Sequence, residues 1–200
     1  SVPELRRIWR QLGGQGIAGL GQDPAEGGLR EVLVVMQELG RAACPAPLAD
    51  AALLNLLSRT GLSGAGGTAW SAMMSAMATG DAWPCFSFGA IDADHGVGGV
   101  TLQGPVASGT IGFVDGAIAA THFVVALADG QTLVLVSADA PGVTVAPARA
   151  MGADGQCQVS LVAVPATTLA VDAACLRDLL RVSRLIHTAA VEDFDRLKIP

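Results

Sequence analysis

The sequence predicts an α+β protein: an N-terminal helical domain, then a small β-barrel or sandwich domain, then one C-terminal helix. Three observations carry this. Apolar residues recur at helical spacing in four segments between residues 3 and 78. Seven short β-like runs then crowd into residues 83–164, separated by Gly, Asp and Pro. Helical spacing returns at Asp172. The implied organisation is a helical domain over 1–80, a β domain over 81–171, and a helix over 172–200.

Each element has a local reason. Leu5, Ile8, Trp9 and Leu12 share one face of a helix from Pro3 to Gly13; proline suits a first helical turn, and the glycines from Gly13 onward end it. A Gly-rich loop covers 17–28. The second helix runs from Leu29 to Ala43, with Val32, Val35, Met36 and Leu39 on one face, until Pro45 and Pro47 break it. A third spans Leu48 to Arg59 and a short fourth spans Ala69 to Ala78. The β-like runs are Trp83–Ile91, Gly99–Gln103, Val106–Ile111, His122–Ala128, Thr132–Val136, Val143–Ala148 and Gln156–Val164. Turn signals such as Asp129-Gly130 and Pro141-Gly142 punctuate them. Asp172 is placed to cap the last helix, whose apolar face carries Leu176, Leu179, Leu180, Ser183, Ile186 and His187.

Composition excludes several classes. The chain is 51% hydrophobic and 15% charged, with a mean hydropathy of +0.49, yet no run approaches the ~18 apolar residues of a membrane span. That surplus of apolar side chains points to a subunit interface. Arg6, Arg7 and Arg10 are not followed by a long apolar core, so no secretory signal is expected. Cys44, Cys85, Cys157 and Cys175 show neither metal-ligand nor disulfide spacing, which reads as structural thiols in a reducing cytoplasm. No lysine or arginine occurs between Arg59 and Arg149, while Asp81, Asp92, Asp94, Asp115, Asp129 and Asp139 do. Such a stretch cannot neutralise phosphates, so nucleic-acid binding is not expected.

Few residues are set out for chemistry. His95, His122 and His187 have no ligand partner at helical spacing, so structural or solvated roles and no metal are expected. No serine lies in a nucleophile elbow. The loops Gly64-Ala65-Gly66-Gly67 and Gly96-Val97-Gly98-Gly99 lack the spacing and lysine of phosphate cradles and read as turns. Glutamates occur only at Glu4, Glu26, Glu31, Glu38 and Glu192, so no paired carboxylates suggest acid–base work. Arg177, Arg181 and Arg184 share one helix face, which reads as solvated.

The ordered series of segments resembles the acyl-CoA dehydrogenase family. It begins with Trp9…Leu12-Gly13…Gly16-Ile17…Gly19-Leu20, then Gly27-Gly28-Leu29 and Glu38-Leu39-Gly40-Arg41. Gly80-Asp81 and the strand Cys85-Phe86-Ser87-Phe88 follow, then Gly109 to Val125, then Val164-Pro165 and Leu169. The resemblance covers residues 4–188. It implies FAD bound between the β domain and a C-terminal helical bundle, an acyl-CoA substrate, and a bundle glutamate that removes the substrate α-proton while flavin N5 accepts the β-hydride. The cofactor-facing positions it assigns are Phe88, Gly89, Phe113, Val114 and Asp115.

The sequence departs from the family in three places. Gly89-Ala90 stands where the family has Thr-Glu, removing a hydroxyl donor and a carboxylate. Phe113-Val114-Asp115 stands at the family's Trp-Ile-Thr/Ser, leaving an aromatic ring for the flavin face but a carboxylate near N5. An anion there disfavours an anionic reduced flavin. One helix follows the β domain before Pro200, and Glu192 does not match the bundle glutamate, so no catalytic base is assigned to this chain. The resemblance thus implies a subunit of a homo- or hetero-oligomeric, FAD-dependent acyl-CoA dehydrogenase, or a degenerate non-catalytic partner within a heteromeric one. The last helix is expected to present its leucines to bundle partners.

Overall fold

A computed structural model describes residues 1–60, 62, 67–91, 99–148 and 155–192. His95, both Gly-rich loops except their terminal Gly67 and Gly99, and Asp92, Asp94, Arg149 and Asp154 lie outside them. So do the residues beyond Glu192.

Among the described residues, four α-helices come first: α1 (Val2–Gly14), α2 (Leu29–Arg41), α3 (Leu48–Thr60) and α4 (Gly67–Ala78). The α1 and α4 ends meet where only glycine fits. A Cβ on Gly13 would lie 2.5 Å from the Thr79 carbonyl carbon, and one on Gly80 would lie 2.6 Å from Arg10 Cα. Glu31 closes the start of α2 by accepting the Gly28 N–H at 2.8 Å. Buried Asn55 on α3 donates to the Ala18 and Leu20 carbonyls, both at 2.9 Å, and so fixes the turn after α1.

Eight strands follow: β1 (Pro84–Ser87), β2 (Val100–Gln103), β3 (Val106–Asp115), β4 (His122–Ala126), β5 (Thr132–Ser137), β6 (Val143–Pro147), β7 (Gln156–Pro165) and β8 (Thr167–Ala170). They form two open four-stranded sheets, ordered β1-β4-β5-β8 and β2-β3-β7-β6, rather than a closed barrel. The β1–β4 pairing is parallel and the rest are antiparallel. In β3 the inward residues are Ala107, Ile111 and Val114, and register slips against β7 break strict alternation. The central strands β4 and β5 are buried nearly throughout, and both are continuous apolar runs.

Helices and sheets share one core. Trp9 on α1 donates its indole N–H to the Ala82 carbonyl at 2.7 Å. Its ring meets Trp83 edge-on, with centroids 6.4 Å apart. Arg6 reaches the Ala119 and Ala120 carbonyls at 3.2 and 3.3 Å.

The last helix, α5 (Ala173–Glu192), begins as its sequence predicts: the Asp172 carboxylate accepts from the Ala174 and Cys175 N–H groups at 2.5 and 3.3 Å. Its apolar face, however, is not left open for outside partners. Leu176, Leu179, Ser183 and Ile186 are buried, and α5 packs on α2 and α3. The approach is close enough that a Cβ on Gly40 would lie 2.4 Å from the Ala190 carbonyl oxygen. Arg177, Arg181 and Arg184 are exposed, with Arg181 paired to Asp178 at 2.6 Å. Among the described residues no helix is long and apolar enough to cross a membrane.

Candidate functional site

β1 and β3 lie in contact, with Phe113, Val114 and Asp115 at the end of β3 and Phe88 and Gly89 just past the end of β1. Cys85 Sγ on β1 reaches the Asp115 carbonyl oxygen on β3 at 3.5 Å. The register of β3 against β7 slips between Ile111 and Val114, a bulge that includes Gly112 and Phe113. Phe113 takes a left-handed φ of +52° there and is 37% exposed. A bulky residue held in that region marks local strain, which often accompanies a binding surface. Val114 turns into the core, and Asp115 is exposed again. Phe113 and Asp115 therefore present side chains to the surface, with Val114 buried between them.

Phe88 and Gly89 are placed differently. Phe88 is buried, its ring edge-on to Phe86 at 4.8 Å. Gly89 has φ +54°, and a Cβ there would lie 2.5 Å from the Ala126 carbonyl oxygen, so the turn after β1 requires glycine. Beside it, the Ser87 hydroxyl accepts the Gly89 N–H at 3.1 Å. Ser87 keeps a hydroxyl near the end of β1, two residues before the place where the resemblance looks for one.

Sequence reasoning missed Asp50. It lies in the first turn of α3, where the helix dipole favours a negative charge. Its carboxyl nonetheless has its pKa raised from 3.8 to about 7. Burial of the carboxyl is the largest cause; the Phe86 backbone amide opposes the rise, and the Asp115 charge adds to it. The residue as a whole keeps part of its surface in contact with solvent, but its carboxyl is enclosed where α3 packs on β1. The available signal was a lone acid inside the run Leu48-Ala49-Asp50-Ala51-Ala52-Leu53-Leu54.

The thiol beside this pair is inert. Burial, and then the charges of Asp50 and Asp115, push Cys85 well above the usual thiol range, so it stays protonated. All four cysteines are free, with Cys85 and Cys157 buried and Cys44 and Cys175 partly so. His122 is half-buried, its Nδ1 2.9 Å from Thr121 Oγ1. Burial lowers its pKa against the pull of Asp139. His187 Nδ1 lies 2.8 Å from the Ser183 carbonyl. Among the described residues no group of His, Cys, Asp and Glu is placed to hold a metal ion.

No protein-family model matches the sequence, and a search by sequence finds no match among curated proteins. Solved structures do match. A variant of the Tcur3481-Tcur3483 steroid acyl-CoA dehydrogenase is 26% identical, with a TM-score of 0.68 over 92% of this chain and 53% of its own. The ChsE4-ChsE5 complex from Mycobacterium tuberculosis is 22% identical, with a TM-score of 0.69 over the same shares. An acyl-CoA dehydrogenase complexed with FAD from Bacillus anthracis is 16% identical, with a TM-score of 0.68 over 96% of this chain and 37% of its own. The chain spans about half the length of the first two and less of the third.

Proposed function

On the premise that this chain has an acyl-CoA dehydrogenase-like fold, we propose that it serves as a subunit of a flavin-dependent acyl-CoA dehydrogenase. The complete enzyme would oxidise the α,β bond of an acyl-CoA thioester, with FAD accepting the hydride. The observation that carries this reading is the strained, exposed aromatic Phe113 on the β3 bulge. It stands where the family resemblance expects a ring against the flavin face, within a helix–sheet–helix order like that of the steroid dehydrogenases. Free thiols suit a cytoplasmic setting. The test is co-expression with dehydrogenase chains from the same source, followed by native mass and a thioester turnover assay. The reading predicts a stable yellow assembly containing this chain, and a chain that associates with none of them refutes it.

A second reading is favoured by the polar groups around Phe113. An isoalloxazine edge presents carbonyl oxygens and accepting nitrogens, so a flavin site must supply donors. Here Asp115 offers a carboxylate and Gly89-Ala90 offers no side-chain donor. The aromatic face fits flavin; the polar set does not. This supports a degenerate, non-catalytic partner in a heteromeric dehydrogenase, with the flavin chemistry performed on another subunit.

A further inference from the structure

We propose, beyond the subunit reading, that the outer face of the β2-β3-β7-β6 sheet is a self-association surface and that its partner is a second copy of this chain.

Strand register builds the face. Thr110 on β3 lies opposite Ser160 on β7, and Ser160 lies opposite Thr144 on β6. A row of hydroxyl side chains thus crosses three strands. Along β7, Cys157, Val159 and Leu161 are buried, while Gln158 and Val162 at alternate positions are exposed, Val162 by 71%. Thr101 on β2 and Thr144 on β6 are exposed as well. Asp115, at the end of β3, is the one charged residue in these four strands.

The chemistry of this face selects a copy of itself. A twofold contact sets the same patch of one copy against that of the other, so a charged patch meets its own sign. Each copy carries a net charge of −6, and two such chains repel. A neutral contact adds nothing to that repulsion. Ser, Thr and Gln side chains both donate and accept hydrogen bonds, so an identical face can satisfy them; a carboxylate accepts only and a guanidinium donates only.

The contact is face to face, as in a sandwich of two sheets. The alternative is pairing along the β6 edge. The Ala148 N–H bonds inward to the Gln156 carbonyl at 2.9 Å, which turns the position of Pro147 outward, where proline has no N–H to offer. Strands about 4.8 Å apart and up to about 33 Å long give the face a flat footprint of about 450 Å². Standing side chains raise its accessible area toward about 600 Å², the low end for one partner in a specific pair. A dimer of micromolar Kd is the matching strength.

The experiment is sedimentation velocity on the purified full chain, from about 1 to about 200 μM. Monomer and dimer in exchange are expected, and a monomer at every concentration overturns the proposal. Raising salt from about 0.05 to about 0.5 M should tighten pairing by screening the repulsion between acidic copies; pairing that weakens with salt overturns it. Thr144→Arg/Gln158→Arg sets cations against their own copies and should weaken pairing at least about tenfold, even though it makes the chain less acidic. Ser71→Arg/Ser75→Arg adds the same charge on the exposed side of α4 and should not weaken it. A dimer indifferent to the first pair, or weakened equally by both, forms elsewhere and overturns the proposal. If the first double variant does not fold, Gln158→Arg alone decides, because that side chain is exposed: weaker pairing supports the proposal and unchanged pairing overturns it. A chain that is monomeric alone yet joins a dehydrogenase removes this proposal and keeps the subunit reading; a dimer that joins none does the reverse.

Discussion

Replacing Asp50 by asparagine should flatten the pH dependence of this protein's stability. In the folded chain the Asp50 carboxyl titrates at about 7; unfolded, it returns to about 4. Between those values the folded protein holds a proton that the unfolded chain has released. Stability from this group is therefore fully present below about pH 4 and is lost as pH rises through about 7. The rise from 3.8 to about 7 corresponds to about 4 kcal/mol at about 1.4 kcal/mol per tenfold. The residue's partial exposure screens this toward about 2 kcal/mol. Asparagine matches the carboxyl in size and removes the charge. His122 works in the opposite sense, since its lowered pKa makes stability rise with pH around its titration. That slope is common to both proteins and cancels in the difference, while Cys85 stays protonated throughout. The assay is urea unfolding followed by tryptophan fluorescence at a series of pH values from about 5 to about 8. The wild type should lose about 1–3 kcal/mol relative to Asp50→Asn across that range. Parallel pH profiles would falsify the assignment of Asp50 as an enclosed, proton-holding carboxyl.

Other substitutions probe the frame around the site. Gly40→Ala forces a Cβ against the Ala190 carbonyl and should cost about 1–3 kcal/mol in chemical unfolding; an unchanged midpoint would mean α2 and α5 do not pack this closely. Asn55→Leu removes both bonds to the Ala18 and Leu20 carbonyls and should cost about 1–3 kcal/mol by thermal unfolding, with faster hydrogen exchange in the turn after α1 as its signature. Trp9→Phe strips the donor from the Ala82 carbonyl and should cost about 1–3 kcal/mol, and a neutral result would contradict the shared helix–sheet core. Asp81→Asn removes the charge from the exposed contact with Arg10 at 3.0 Å and should leave the melting midpoint unchanged; a lowered midpoint in the same melt would show that the pair is structural.

Much of this fold was legible because each element obeys a simple period. The helices follow from apolar spacing, and α5 starts at the capping aspartate that its sequence offers. The strands β4 and β5 follow from uninterrupted apolar runs. β8 was not legible. Thr167–Ala170 is short, lies one residue after β7, and becomes a strand by pairing with β5. The run read as Trp83–Ile91 ends as a strand at Ser87, because the left-handed Gly89 turns the chain. β3 extends past Ile111 to Asp115 through a bulge that no alternation announces.

The site was legible in part through the resemblance, which brings out Phe113, Val114 and Asp115; local patterns end that run at Ile111. They do not say that Val114 turns inward while its neighbours face out, since that depends on the bulge. Asp50 acquires its character only from what α3 packs against. Its own helix terminus argues for an ordinary, ionised carboxyl, and enclosure against β1 reverses that. The leucines of α5 misled in the opposite direction: an amphipathic face predicts burial but does not say that α2 and α3 supply it.

The most direct measurement of the central claim is native mass spectrometry, with an absorbance spectrum, on the assembly this chain forms when co-expressed with acyl-CoA dehydrogenase chains. The account predicts a hetero-oligomer that contains this chain, carries bound flavin, and oxidises an acyl-CoA thioester only when both chains are present. A colourless chain that remains alone, beside a dehydrogenase fully active without it, would contradict the account.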